Sequence, residues 1–129
     1  MGKPSKSISS QLAKLTKICL ALPNVLRKDQ GDHTAFIAGK KTIAYFLNNH
    51  HGDGIVGVAC KVLPGDNQRL IAAHPERFYM PAYVGPRGWV AVRLDLKKVD
   101  WEEVAELIAT SYQLIAPKRL AALIEAAID

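Results

Sequence analysis

Residues 81–119 read PAYVGPRGWVAVRLDLKKVDWEEVAELIATSYQLIAPKR, and this stretch decides the fold. Its first part, Gly85-Pro-Arg-Gly88, is typical of a tight turn, because glycine adopts backbone angles that strain other residues. Apolar residues alternate after the turn, which predicts a strand over Trp89–Leu96. One face of this strand would carry Val90, Val92, Leu94 and Leu96, and the other Trp89, Ala91, Arg93 and Asp95.

Two helices are predicted after this strand. Asp100 and Glu103 match a capping box with aspartate as the cap, so a helix should run to about Tyr112. Its buried stripe would consist of Trp101, Val104, Ala105, Ile108 and Tyr112. Pro117 suits the first turn of a last helix, which would run through Ala127. The inward side chains of that helix would be Leu120, Leu123, Ile124 and Ala127.

Upstream of residue 81, periodicity and turn signals predict a helix, a hairpin, a strand, a short helix and an interrupted edge strand. Their predicted bounds are about residue 9 or 10 to Ala21, Thr34–Ala38 with Thr42–Leu47, Ile55–Val62, Asp66–Ala73 and Arg77–Val84. Gly39 would supply the hairpin turn, and Asp66 would cap the short helix.

These elements predict an α+β fold, in which an antiparallel sheet is covered on one face by the N- and C-terminal helices. Residues 1–8 are predicted to be a disordered tail, and residues 9–129 a single domain. No apolar run approaches the length of about 18 residues that a membrane span needs, and the polar N-terminus lacks the apolar core of a secretory signal. Cys19 and Cys60 are typical of small buried hydrophobes. We therefore expect a cytoplasmic protein without a membrane partner.

The net charge of +5 is distributed unevenly along the chain. Six basic residues and no acidic ones precede residue 29, whereas Asp100–Glu106 holds four carboxylates and no base. A basic region favours an acidic partner, which can be nucleic acid, an anionic ligand or an acidic protein. A solvated surface of a soluble protein is the alternative that charge alone leaves open.

The stretch quoted above resembles the MmcQ/YjbR family of small bacterial proteins in the identity and order of its residues. Further matches lie upstream in Ala21-Leu-Pro23, in Phe36-Ile-Ala-Gly-Lys40 and at Lys61, so that the resemblance covers roughly Leu12 to Leu120. It implies a frataxin-type (CyaY-like) α/β sandwich, also called a double wing. It also implies DNA binding, the function with which such proteins are usually labelled.

The predicted turns and the clearest strand supply the first candidate nucleic-acid contacts. Lys40 and Lys41 lie on one turn and Arg87 on another, where exposed cations can reach phosphates without reading sequence. Trp89 and Arg93 are four apart in one strand and therefore share a face, so Trp89 would stack on a base and Arg93 would hold a phosphate. The alternatives are soluble turn residues and a tryptophan that is packed inside the protein.

Lys118 and Arg119 form the second candidate contact. They follow Pro117 at a helix N-terminus, where the helix dipole disfavours cations unless an anion joins them. Together with free backbone N–H groups they would make an anion site. The alternative is an ion pair with the preceding acidic helix, through Glu102, Glu103 or Glu106.

Catalytic, metal and cofactor sites are not expected. No nucleophile elbow or P-loop occurs, and the cluster of His50, His51 and Asp53 lacks metal-ligand spacing. Frataxins hold iron on an acidic first helix, but the first helix here carries Lys14 and Lys17 and no carboxylate. We therefore expect a non-enzymatic protein that binds DNA or another polyanion with little base specificity. A protein-interaction module that uses the sheet and the Asp100–Glu106 helix, or a binder of a small anionic ligand near Trp89, Arg93 and Arg119, remains the alternative.

Overall fold

The computed structural model describes residues 6–49 and 52–128, with side chains at residues 8–49 and 52–123. Over these residues the chain has the predicted α+β fold. Its helices are α1 (Lys6–Leu20), α2 (Asp66–Ala73), α3 (Trp101–Ile115) and α4 (Lys118–Ile128). Its strands are β1 (Val25–Gln30), β2 (His33–Ala38), β3 (Lys41–Asn48), β4 (Val56–Lys61), β5 (Phe78–Tyr79) and β6 (Trp89–Arg93).

The described strands form one antiparallel sheet in the order β1-β2-β3-β4-β6-β5. The predicted hairpin joins β2 to β3, with Ala38 opposite Lys41 and Gly39 at a φ of 65° in the turn. The short strand β5 lies at the edge of the sheet, as predicted for the segment that Pro81 interrupts.

One face of the sheet packs against α1 and α3 and forms the main core. Phe36, Phe46 and Val58 of the sheet lie in this core with Leu15 of α1 and Ile108 of α3, and all five are buried. Each such side chain contributes about 1.5–3 kcal/mol when it leaves water, so this face holds the two layers together.

Ser111 joins α3 to the sheet where β3 and β4 stop pairing. Its buried Oγ donates to the carbonyl of Ile43 at 2.7 Å and accepts the N–H of Lys61 at 2.9 Å. The β3–β4 ladder has its last pair at Ala44 and Cys60. The hydroxyl therefore satisfies two backbone groups at the position where the ladder would otherwise continue.

The other face of the sheet is more open and is covered in part by the loop between β5 and β6. A smaller buried cluster lies on this face, with partly buried side chains at its margin. The cluster contains Leu47, Ala59, Trp89 and Ala91, and its margin contains Tyr45, Tyr79, Val84 and Ile115.

Two local predictions are confirmed by the side chains. The Asp100 carboxylate accepts the N–H of Glu103 at 3.1 Å, so Asp100 caps α3. Cys19 and Cys60 are free, buried thiols, and burial raises the pKa of both, to about 12 for Cys60.

Strand β1 was not predicted from the sequence. Only Val25 of this strand is buried, and the other five residues are exposed, so the strand lacks the alternation by which strands are recognised. Its pairing comes from β2, where Val25 lies opposite Ala38 and Gln30 opposite His33.

Several predicted details are wrong. Asp66 does not cap α2, because Gly65 occupies the cap position and the Asp66 carboxylate pairs with Arg69 instead. Leu123 is 53% exposed instead of inward, whereas Leu120 is buried as predicted. The side chains of Ile124 and Ala127 lie outside the described residues.

Four predicted elements have bounds that differ from the structure by more than one residue. Of the edge strand predicted over Arg77–Val84, only Phe78 and Tyr79 form β5. Helix α1 begins at Lys6 and so includes three residues predicted to belong to the tail, while residues 1–5 lie outside the described part. Strand β6 ends at Arg93, three residues before the predicted end. Helix α3 continues to Ile115, one further turn than predicted, until Pro117 prevents its extension.

Candidate nucleic-acid interface

The β2–β3 turn, the end of β4 and the start of β6 lie at one end of the sheet. This follows from the strand register, in which Ala38 pairs with Lys41 and Lys61 pairs with Trp89. We call the cations gathered here the basic end, and they are Lys40, Lys41, Lys61, Arg87, Lys118 and Arg119. All are exposed except Lys61, which is partly buried.

Contact between a turn and a helix brings two of the predicted sites together. A Cβ placed on Gly39 would lie 3.1 Å from Pro117 Cγ, so the β2–β3 turn packs against the start of α4. Lys40 follows Gly39 and Lys118 follows Pro117, so the contact joins the segment that carries Lys40 and Lys41 to the one that carries Lys118 and Arg119. The hydroxyl of Tyr112 donates to the carbonyl of Pro23 at 2.8 Å and fixes the start of β1 at the same end.

Lys61 and Arg87 line one groove of about 750 Å³. The Val62 N–H donates to the carbonyl of Gly88 at 3.0 Å, which holds the end of β4 beside the turn that carries Arg87. Leu114, in the last turn of α3, lines the same groove. The groove therefore runs from the Arg87 turn towards the connection between α3 and α4.

The positive charges of the basic end are not neutralised within the part of the chain that the structure describes. None of its six cations forms an ion pair there with a described carboxylate. The expected alternative for Lys118 and Arg119, an ion pair with the acidic turn of α3, is not formed among these residues. Glu103 pairs instead with Arg77, at 3.4 Å.

The α3–α4 connection explains why the acidic and basic runs stay apart. The acidic first turn and the last turn of α3 are separated by a helix of 15 residues, a length of roughly 20 Å. Helix α4 starts from the far end of α3 and presents its N-terminus, the positive pole of its dipole, at the basic end. Burial raises the pKa of Tyr112 at this junction, and the charge of Arg119 acts in the opposite direction.

Arg93 lies at the opposite end of β6 and is separated from the basic end. It is four residues from Trp89 along the strand, a distance of roughly 13 Å. Its guanidinium makes two hydrogen bonds to Asp95, at 3.0 and 3.1 Å. Burial alone would raise the pKa of Asp95, but hydrogen bonds from Arg93 and from the N–H of Val56 lower it. Arg93 therefore forms a partly exposed ion pair with Asp95, away from the cations of the basic end.

Trp89 lies inside the protein and not on an open face. It is 7% exposed, and its ring centroid is 5.6 Å from that of Tyr45. Val84 of the loop between β5 and β6 packs against the buried cluster that contains Trp89, and the N–H of Trp89 donates to the carbonyl of Val84 at 3.4 Å. The buried ring has no open face to offer a base, which favours the packed alternative.

Lys61 is the member of the basic end that the sequence did not identify as a site residue. It is the last residue of β4, but its charge alone does not distinguish it from other lysines in the sequence. Its position opposite Trp89 places it at the basic end, and this position is known only once β4 is known to pair with β6.

The described residues contain neither a cluster of metal ligands nor a helix that could span a membrane. No group of three or more His, Cys, Asp or Glu within them is arranged to hold a metal ion, and His50 and His51 lie outside them. Of the helices described, none has the length and apolar character needed to span a bilayer.

The described α+β sandwich with its antiparallel sheet defines a class of small domain, and comparison with known proteins identifies the family. The YjbR family model matches residues 20–114, and the chain belongs to this family. The chain is also similar to the crystal structure of Deinococcus radiodurans protein DR2400, a DUF419 domain. That similarity has a TM-score of 0.65 and 25% identity, and it covers 80% of this chain and 76% of that chain. No functionally curated protein matches. These findings confirm the predicted family and the fold class.

Proposed function

We propose that this protein is a bacterial, cytoplasmic nucleic-acid-binding module that contacts the phosphate backbone through its basic end. The observation that carries the proposal is the convergence of six cations from four separate parts of the chain, none of them paired with a described carboxylate. The proposed activity is binding without catalysis.

Phosphate contacts explain the chemistry of this surface better than base contacts do. Lys40, Lys41 and Lys118 are exposed, flexible side chains that provide point charges, which suit phosphates and carry no sequence information. The start of α4 adds backbone N–H groups and the positive end of a helix dipole. Little base specificity is expected. Among the described residues, no contact places a helix of the basic end so that it could enter a DNA groove and read the edges of the bases.

A second candidate is a protein-interaction module, and the character of the open sheet face favours it. That face exposes Leu26 and Tyr83, at 66% and 77%, beside the partly buried Ile37 and Tyr45. The small anionic-ligand alternative near Trp89, Arg93 and Arg119 loses its basis, because Trp89 is buried and Arg93 lies at the other end of β6.

Fluorescence anisotropy with labelled duplex DNA at several salt concentrations tests the proposal. Each neutralised phosphate contributes about 0.9 to the slope of log affinity against log salt, so six contacts predict a slope of roughly −5. A salt-independent affinity, or no binding at low salt, would reject phosphate-driven binding and turn attention to a protein partner at the open sheet face or the Asp100–Glu106 helix.

A further inference from the structure

A small groove lies on the open sheet face beneath the loop between β5 and β6. Its volume is about 250 Å³, and Tyr45, Leu47 and Ala59 of the sheet line it together with Pro81–Val84 of the loop. We call it the tyrosine groove. Pockets for drug-sized ligands usually measure about 300–1,000 Å³, so this groove suits a single flat ring.

Tyr83 has an unusual backbone conformation at the entrance of this groove. Its φ is 68°, in the left-handed region, and the other non-glycine residues with positive φ in the described chain are the more tolerant Asn24 and Asn49. Such a conformation costs about 1–3 kcal/mol. Burial does not repay that cost, because the residue is 77% exposed. A bulky residue held in strain with an exposed ring indicates a functional role for the ring.

The rest of the lining has the chemistry that a nucleobase requires. Tyr45 supplies a second aromatic ring, and Leu47 and Ala59 supply an apolar floor for the groove. Gln30, exposed at the rim, carries an amide that both donates and accepts hydrogen bonds. Stacking between aromatic side chains with polar groups at the edge is how proteins hold unstacked bases.

One turn of the chain connects the loop that lines the tyrosine groove to the Arg87 segment of the basic end. The N–H of Arg87 donates to the carbonyl of Val84 at 2.9 Å, and the N–H of Gly85 donates to the carbonyl of Pro81 at 3.1 Å. Val84 lines the tyrosine groove, and Arg87 lines the groove of about 750 Å³ that it shares with Lys61. The two grooves therefore lie on opposite sides of this turn.

We propose that the tyrosine groove receives an unstacked base of a single-stranded nucleic acid whose phosphates lie on the basic end. This inference rests on the nucleic-acid binding proposed above and adds the substrate class. In a duplex the bases are stacked and paired, so they cannot enter the groove without unstacking. A single strand provides a base and a phosphate backbone together.

The test compares three labelled probes of equal length: oligothymidylate, an abasic strand and a duplex. Tyr83→Ala removes the ring, and we expect it to weaken oligothymidylate binding roughly tenfold while binding of the abasic strand and of the duplex is unchanged. Tyr83→Phe keeps the ring and should bind as the unmodified protein does. Tyr83→Gly removes both ring and backbone strain, so loss of binding in this variant assigns the effect to the ring.

The outcomes separate this inference from the proposal on which it rests. Equal affinity for oligothymidylate and the abasic strand, or unchanged oligothymidylate binding in Tyr83→Ala and Tyr83→Gly, would overturn the base-binding groove while salt-dependent binding leaves the phosphate site standing. Failure of the unmodified protein to bind any of the three probes at low salt would overturn both.

Discussion

Gly39 packs against Pro117, 78 positions later in the chain, with only 3.1 Å between Pro117 Cγ and a Cβ placed on the glycine. The contact brings a hairpin turn against the start of α4 and so sets the positions of Lys40 and Lys118 relative to each other. Two segments that look independent in the sequence become one charged surface through this contact.

Gly39→Ala is expected to destabilise the protein and to weaken polyanion binding. The new Cβ meets Pro117, and alanine is also strained at a φ of 65°. The left-handed conformation costs about 1–2 kcal/mol, and displacement of Pro117 adds about 1 kcal/mol. Urea denaturation measures the first effect and anisotropy with labelled duplex the second.

Gly31→Ala is the matched control for this variant. Gly31 lies in the β1–β2 turn with a φ of 63°, and a Cβ placed on it would have nothing within 4 Å. Gly31→Ala should therefore show the destabilisation from backbone strain alone and should bind polyanions as the unmodified protein does. Equal destabilisation and equal binding in the two variants would show that the contact with Pro117 has no role.

Ser111→Ala is expected to lower the free energy of unfolding by about 1–3 kcal/mol, because it leaves the carbonyl of Ile43 and the N–H of Lys61 without their partner. Ser10→Ala, at an exposed position in α1, serves as the control and should change stability by less than about 0.5 kcal/mol. Urea denaturation measures the free energy of unfolding of both variants. Similar changes in the two would show that the Ser111 hydroxyl does not hold α3 to the sheet.

The pair of Arg93 and Asp95 predicts a defined dependence of stability on pH. Hydrogen bonds from Arg93 and Val56 outweigh burial and hold the pKa of Asp95 below its ordinary value of 3.8. A carboxylate with a lowered pKa stabilises the fold above its ordinary pKa, and this contribution disappears as the pH falls through the folded value. The pair is partly exposed, so Asp95→Asn should cost only about 1 kcal/mol at pH near 7.

Chemical denaturation of Asp95→Asn and the unmodified protein across the acid range measures this contribution. The difference in stability should be present at neutral pH and should shrink below the ordinary pKa of aspartate. A difference that stays constant through the acid range would show that the Asp95 charge does not stabilise the fold. Arg93→Met should remove most of the same pH dependence.

Thiol labelling is expected to require unfolding. Cys19 and Cys60 are both fully buried, and burial raises the pKa of each, so little thiolate exists and none is accessible. The rate of reaction with a thiol reagent should follow the population of unfolded protein across a urea series. Rapid labelling of either cysteine under native conditions would contradict the described core.

The fold was predictable from sequence where local chemistry and burial agree. The alternation in Trp89–Arg93 and the cap formed by Asp100 depend on neighbours in the sequence and appear as predicted. Strand β1 was missed because its exposed, charged residues follow no pattern and its pairing partner determines its conformation.

The candidate site was predictable only in part, because it depends on long-range contacts. Lys40, Lys118 and Arg119 carry charge that the sequence reveals, but their proximity depends on the contact of Gly39 with Pro117. Trp89 resembles an exposed stacking residue in sequence, whereas a loop and Tyr45 bury it. Arg93 shares its strand face, but strand length and Asp95 remove it from the basic end.

A charge-matched comparison of two lysine pairs tests the central claim most directly. Lys40/Lys41→Gln changes the basic end, and Lys97/Lys98→Gln changes another pair of exposed, adjacent lysines, which follows the other end of β6. Both variants lose two charges, so any difference between them reports position and not net charge.

The measurement is the salt dependence of affinity for labelled duplex DNA, determined by anisotropy. We expect Lys40/Lys41→Gln to weaken binding and to flatten the salt slope by about 2, because two phosphate contacts are lost. Lys97/Lys98→Gln should leave the slope nearly unchanged. Equal effects of the two variants, or no effect of Lys40/Lys41→Gln, would contradict phosphate binding at the basic end.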